Sequence, residues 1–101
     1  MKISYKFDSN KKSLLIVLSG VLKFDALKSF TVAYESLPPE GVLYYELNME
    51  EVSYLDSCFL GMLLVLKDYV HDRANILISN CSSYVLRVLE ISNFNQLFEI
   101  Q

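Results

Sequence analysis

Glycine, cysteine and histidine are scarce in this 101-residue chain, and each scarcity removes a class of chemistry. The three glycines, Gly20, Gly41 and Gly61, are scattered, so no GxGxxG or GxxxxGK[ST] loop exists to cradle a phosphate. No GxSxG elbow is present, and no base is evident for a serine or cysteine nucleophile. The two cysteines, Cys58 and Cys81, form no CxxC or framework spacing, which suits free thiols in a reducing compartment. The single histidine, His71, makes a poor zinc or catalytic site and reads as a solvated residue at a helix end. Basic side chains number nine against twelve acidic, a net charge of −3, so the basic face that nucleic acid or an anionic membrane needs is missing. Long apolar runs are missing too. The longest, Cys58–Leu66, is too short to span a bilayer, and Met1-Lys2-Ile3-Ser4-Tyr5-Lys6 has no signal-peptide character. The expectation is a cytoplasmic binding protein, not an enzyme, with no cofactor, no metal and no membrane insertion.

What the chain does have is apolar bulk. Apolar residues make up 52% and charged residues 21%, enough for a core without a disulfide or metal. The length suits one domain over residues 1–101. Ile3–Phe7 and Leu14–Ser19 read as strands of a hairpin turning at Asp8-Ser9-Asn10, with Gly20 closing the second. Asp25 is the expected N-cap of a helix running to about Leu37, where Pro38-Pro39 stops it. Its stripe is Ala26, Phe30, Ala33, Tyr34 and Leu37.

Val42–Leu47 reads as a central strand covered on both faces, followed by a polar connection over Asn48–Ser53. A helix over about Ser57–Asp72 follows, then a strand over Asn75–Ser79. Ser82 or Ser83 caps another helix, with Val85, Leu86, Leu89 and Ile91 as its stripe, ending at Asn93. Leu97–Ile100 is a last short strand or an extended tail. The order ββαβαβα implies an α/β fold: a mixed sheet, N-terminal hairpin plus parallel strands, packed with about three to four helices.

The segment Tyr54-Leu55-Asp56-Ser57-Cys58-Phe59-Leu60-Gly61 carries the functional information. Either Asp56 or Ser57 caps the helix. A serine at a helix start beside the end of a parallel strand is also where a phosphate is tolerated, because free N–H groups and the helix dipole favour an anion. Phe59, Met62, Leu63, Leu66 and Val70 share one face and form the expected core stripe. Ser57, Leu60, Gly61 and Leu64 share another, which places a small apolar patch of Leu60 and Leu64 beside Ser57. Burial of the helix nearly all round would explain the same residues equally well. Cys58 reads as a small apolar residue at the helix start in preference to a redox centre. Glu46, Glu50, Glu51 and Asp56 read as a solvated rim, since they lack the alternating pattern of a calcium loop.

The pattern Asn48-Met49-x-x-Val52-x-Tyr54-Leu55-Asp56-Ser57-x-x-Leu60-Gly61-x-Leu63-Leu64 resembles the signature of STAS domains, the anti-sigma factor antagonist family. Val85–Ile100 is similar to that family's last helix and strand, and Gly20-Val21-Leu22 to its turn after the second strand. The resemblance implies a phosphorylation-controlled interaction switch. Ser57 would be the phosphoacceptor, Asp56 its supporting neighbour, and Asp56, Ser57, Cys58, Leu60, Gly61 and Leu64 the partner-binding surface. The implied partners are a histidine-kinase-like serine kinase, often itself an anti-sigma factor, and a serine phosphatase. Two departures from the pattern are visible. Cys58 and Phe59 replace the usual Ser or Thr and Gly, which is expected to set a bulky ring beside the site, and Asn93 stands where glycine is usual. The rival expectation is a constitutive STAS-like subunit of a larger assembly, such as a transporter, with no phosphorylation.

Overall fold

Apolar side chains at every second position turn the strands of this chain into one half-covered sheet. The computed structural model describes residues 1–101. Strand β1 (Lys2–Asp8) turns into β2 (Ser13–Leu22). Asp8 Oδ1 closes the turn by accepting from the N–H groups of Asn10 at 3.0 Å and Lys11 at 3.2 Å. A 3-10 turn at Phe24–Ala26 leads into helix α1 (Leu27–Tyr34), and a second at Pro39–Gly41 leads into β3 (Tyr44–Leu55). Helix α2 (Ser57–Val70), strand β4 (Asn75–Ser79), helix α3 (Ser83–Ile91), a 3-10 turn and strand β5 (Glu99–Ile100) complete the fold.

The sheet order is β1-β2-β3-β4-β5, with β1 antiparallel to β2 and the remaining pairs parallel. Each crossover from β2 onward steps one strand in the same direction, so right-handed connections put all three helices on one face. On that face Leu14, Ile16, Leu18, Tyr45, Leu47, Met49, Ile76 and Ile78 are buried in one core with Phe30, Phe59, Leu63, Leu66, Val85 and Leu89. The alternate residues Leu15, Val17, Glu46, Asn48 and Leu77 are only half-buried. This corrects the reading of Val42–Leu47: the strand is central, but only one of its faces is covered by helices.

Strand β3 also runs further than its sequence suggests. The polar stretch Asn48–Ser53 is strand, because Met49, Val52 and Leu55 still reach the core. Their spacing of three replaces the spacing of two through bulges in the β2–β3 register: Val17 and Ser19 pair with Asn48 and Glu51, and Gly20 and Val21 with Val52 and Tyr54. Each bulge leaves one extra residue on β3. Gly20 does not close β2. It lies inside the strand at φ +80, where a Cβ would stand 3.3 Å from the Met1 backbone, so two constraints select glycine.

Asp25 does not cap α1. It sits in the preceding 3-10 turn, the cap position falls to Ala26 without a side-chain bond, and the helix stops at Tyr34 before the prolines. In α3 only Val85 and Leu89 are buried, while Leu86 and Ile91 are exposed, because a nine-residue helix at the sheet's flank buries a narrow face. Asn93 follows α3 in the left-handed conformation, φ 61 and ψ 25, which asparagine tolerates.

Candidate functional site

Between β3 and α2 the chain has a single residue, Asp56, to change from strand to helix. Its backbone is extended at φ −113 and ψ −179, and its N–H donates to Leu22 O at the end of β2, at 3.2 Å. Its carboxylate Oδ1 accepts from the N–H of Phe59 at 3.1 Å. Asp56 is therefore the N-cap, satisfying one of the donors that a helix start leaves free. That resolves the choice between Asp56 and Ser57. Ser57 is the first helical residue, exposed to solvent, and its hydroxyl makes no hydrogen bond to the rest of the chain. In α3 the same choice resolves to Ser82, whose Oγ accepts from the N–H of Val85 at 3.1 Å.

The next residues separate by face. Phe59 is fully buried, its ring 5.2 Å from that of Phe30, so the ring expected beside the site lies in the core instead. Helical geometry requires this, because the residue two after Ser57 points away from it. Phe59, Met62, Leu63, Leu66 and Val70 are all buried, as their spacing predicts. The opposite face exposes Cys58, Gly61, Leu64 and Val65. Cys58 is thus not a packed apolar residue. The predicted patch of Leu60 and Leu64 needs correction as well. Leu60 is half-buried against the core, and the exposed apolar pair is Leu64 at 44% with Val65 at 56%. Counting three and seven residues from Cys58 would have identified Gly61 and Val65 as one stripe.

Around the helix start the fold assembles aromatic groups that are distant in sequence. The rings of Tyr54 and Tyr84 stack at 6.1 Å with 20° between planes, and both side chains are exposed. Tyr84 donates its hydroxyl hydrogen to Leu55 O at 3.3 Å, on the residue before Asp56. Val21, paired with Tyr54 in the sheet, is exposed, and Phe24, two residues beyond β2, is exposed at 71%. No local motif signals this grouping. The bulge that turns Tyr54 outward and the return of α3 to the same sheet end create it.

The remaining candidates lie elsewhere. Glu46 accepts from Ser79 Oγ at 2.7 Å on the uncovered sheet face, while Glu50 and Glu51 are exposed along β3. No group of three or more His, Cys, Asp or Glu side chains is arranged to hold a metal ion. His71 is exposed at the end of α2, and burial pushes the Cys81 thiol up, so it stays protonated. No helix is long and apolar enough to cross a membrane. The largest surface concavity, about 400 Å³, is lined by Tyr44, Glu46, Asn75 and neighbours at the N-terminal ends of β3 and β4, the opposite end of those strands from Ser57.

Residues 6–101 match the model of the STAS domain family. A STAS-domain containing protein of Pseudomonas aeruginosa (strain UCBPP-PA14) is 38% identical over 103 residues, spanning 99% of both chains. Among solved structures, a putative anti-sigma factor antagonist from Thermotoga maritima superposes with a TM-score of 0.83 at 17% identity, over 97% of this chain and 84% of that one. The anti-sigma factor antagonist SpoIIAA in its unphosphorylated form gives 0.70 at 16% identity, over 99% and 87%. Bacillus SpoIIAA in its phosphorylated form gives 0.69 at 17%, over 99% and 91%. At these identities the structural likeness is one of fold.

Proposed function

This chain belongs to the STAS domain family, and on that footing we propose that it is a phosphorylation-controlled protein-interaction switch with Ser57 as the phosphoacceptor. The observation that carries the reading is the idle hydroxyl of Ser57. It is exposed on the first turn of α2, while the adjacent Asp56 performs the capping that would otherwise occupy a serine. A phosphate there meets the remaining free N–H groups of the helix start and needs no rearrangement of the fold.

In this reading the unphosphorylated domain binds a histidine-kinase-like serine kinase or anti-sigma-type partner through Asp56, Ser57, Cys58, Gly61 and Leu64, with Val65 added and Leu60 beneath. Phosphorylation sets a charge of about −1.5 to −2 against Asp56 inside a contact that excludes water, and the partner leaves. A serine phosphatase restores the binding form. The domain works by binding in the cytoplasm, without a cofactor of its own, and the ATP belongs to the kinase. The test is co-expression with a histidine-kinase-like serine kinase from the same organism, followed by intact mass and peptide mapping. One phosphate on Ser57 is the expected result. Phosphate confined to Ser53, Ser82 or Ser83 overturns the site, and a stable complex that is never phosphorylated establishes a constitutive subunit instead.

A further inference from the structure

The two edges of the sheet are unequal. On one side the sheet ends in β5, a strand of only two residues. On the other it ends in β1, seven residues long, paired with β2 from Lys2 to Asp8 without a register shift. The outer rim of β1 therefore presents an unbroken row of peptide N–H and C=O groups, with no bulge or proline to interrupt it. Its side chains divide cleanly. Ile3, Tyr5 and Phe7 pair with the core-facing Leu18, Ile16 and Leu14, and Lys2, Ser4, Lys6 and Asp8 face the uncovered side. Tyr5 is 47% exposed although it lies on the helix face, so α1 does not close over it.

We propose that two copies of this chain pair antiparallel through β1 about a two-fold axis at Tyr5, joining two five-stranded sheets into one. The choice of a second copy comes from the self-complementarity of the strand. With the axis at Tyr5, Lys2 lies opposite Asp8 of the other copy, Ile3 opposite Phe7, Ser4 opposite Lys6, and Tyr5 opposite itself. Each apolar pair occurs on the helix face, and each Lys–Asp pair occurs twice, as an isologous interface requires. Moving the axis by one residue either way keeps an apolar pair on the helix face but loses the Lys–Asp match. An axis at Ser4 sets Lys2 against Lys6, and one at Lys6 sets Lys6 against itself, and like charges directly opposite are unfavourable. Asp8 is already oriented, since Oδ1 holds the turn through Asn10 and Lys11. The inference is independent of phosphorylation at Ser57, which lies on α2 and not on this edge.

Sedimentation equilibrium of the full chain across a concentration series tests it. The expected result is a reversible dimer. Tyr5→Lys sets two ammonium groups opposite each other at the axis and should leave a monomer wherever the wild type is dimeric, with its melting curve at low concentration unchanged. Lys2→Glu turns both Lys–Asp pairs into repulsions and should weaken the dimer about tenfold. Asp8→Asn keeps the oxygen that closes the turn but removes the charge, and should weaken it less than Lys2→Glu. A wild type that stays monomeric up to about 1 mM overturns the proposal, since any weaker pairing is worth less than that of a loose complex. A dimer indifferent to Tyr5→Lys and Lys2→Glu overturns it equally, by placing the contact elsewhere.

Discussion

Asp56 accepts the N–H of Phe59 at 3.1 Å, and this one bond fixes both the direction of α2 and the freedom of Ser57. The cap orients the first turn, so Phe59 drops against Phe30 while Ser57 stays on the rim. Capping and the proposed phosphoacceptor thereby fall on adjacent residues that can be separated by mutation.

Asp56→Ala should cost about 0.5–2 kcal/mol, the usual loss of an N-cap. Ser57→Ala should change stability by less than about 0.5 kcal/mol, because the exposed hydroxyl bonds no other group of the chain. Ser57→Asp should fold as well as wild type, with the helix dipole favouring the added charge. Partner binding ranks differently: Ser57→Ala holds, and Ser57→Asp loses about tenfold, near 1.4 kcal/mol. Thermal melts paired with a binding titration check both rankings. Equal binding by all three proteins removes the switch.

Leu64 and Leu66 stand two residues apart on α2 and should respond in opposite ways. Leu66 is fully buried, so Leu66→Ala leaves a cavity and costs about 2–5 kcal/mol. Leu64 is 44% exposed, and Leu64→Ala should cost under about 1 kcal/mol while weakening the partner complex. Denaturant unfolding separates the two directly. A large stability loss at Leu64 would make it a core residue.

Much of this was legible in the chain. The core stripe of α2, the hairpin and the order of strands and helices follow from spacings of two, three and four residues, whereas the left-handed Asn93 is signalled only by the resemblance, which sets glycine at that place. The misreadings share a cause. Asn48–Ser53 looked like a loop because the bulges that keep Met49, Val52 and Leu55 buried depend on the register with β2, which β3 alone does not encode. The cap was ambiguous because Asp56 and Ser57 are equally good caps, and the bond from Phe59 N–H to Asp56 Oδ1 decides between them. The stack of Tyr54 on Tyr84 joins residues thirty positions apart and has no local signal.

Tyr45 predicts an alkaline effect. Its hydroxyl is buried without a partner, and burial first, then Tyr69, raise the phenol above the usual 10.0, with Arg73 opposing. Burial raises Tyr34 and Tyr69 in the same direction. A folded-state value above the unfolded one means that the contribution is complete below about pH 10 and is lost as pH rises through the folded value. Stability should therefore be flat with respect to these groups at neutral pH and fall above about pH 10. Tyr45→Phe removes both the orphaned hydroxyl and one titrating group. It should melt at or above the wild-type temperature at pH 7 and unfold at higher pH. Melting temperatures between pH 7 and about pH 12 test this, and a destabilised variant at pH 7 would show that the hydroxyl has a partner.

Gly61 gives the sharpest separation of stability from binding. It lies inside α2 with nothing within 4 Å of where a Cβ would stand, and its backbone is ordinary helix. The fold gains nothing from a glycine there, and an exposed helix interior favours alanine by about 0.5–1 kcal/mol. Gly61→Ala should therefore raise stability by that amount. What glycine does supply is a bare stretch of helix surface between Cys58 and Val65, one turn from Ser57, onto which a partner's backbone can close. The same variant should bind the kinase-type partner more weakly, and Gly61→Val more weakly still, with valine giving back part of the stability through its poorer helix propensity. Melting curves and binding titrations on both variants decide the matter. If Gly61→Ala is more stable and binds undiminished, the contact lies elsewhere on the domain, and the exposed Tyr54–Tyr84 stack becomes the surface to mutate next.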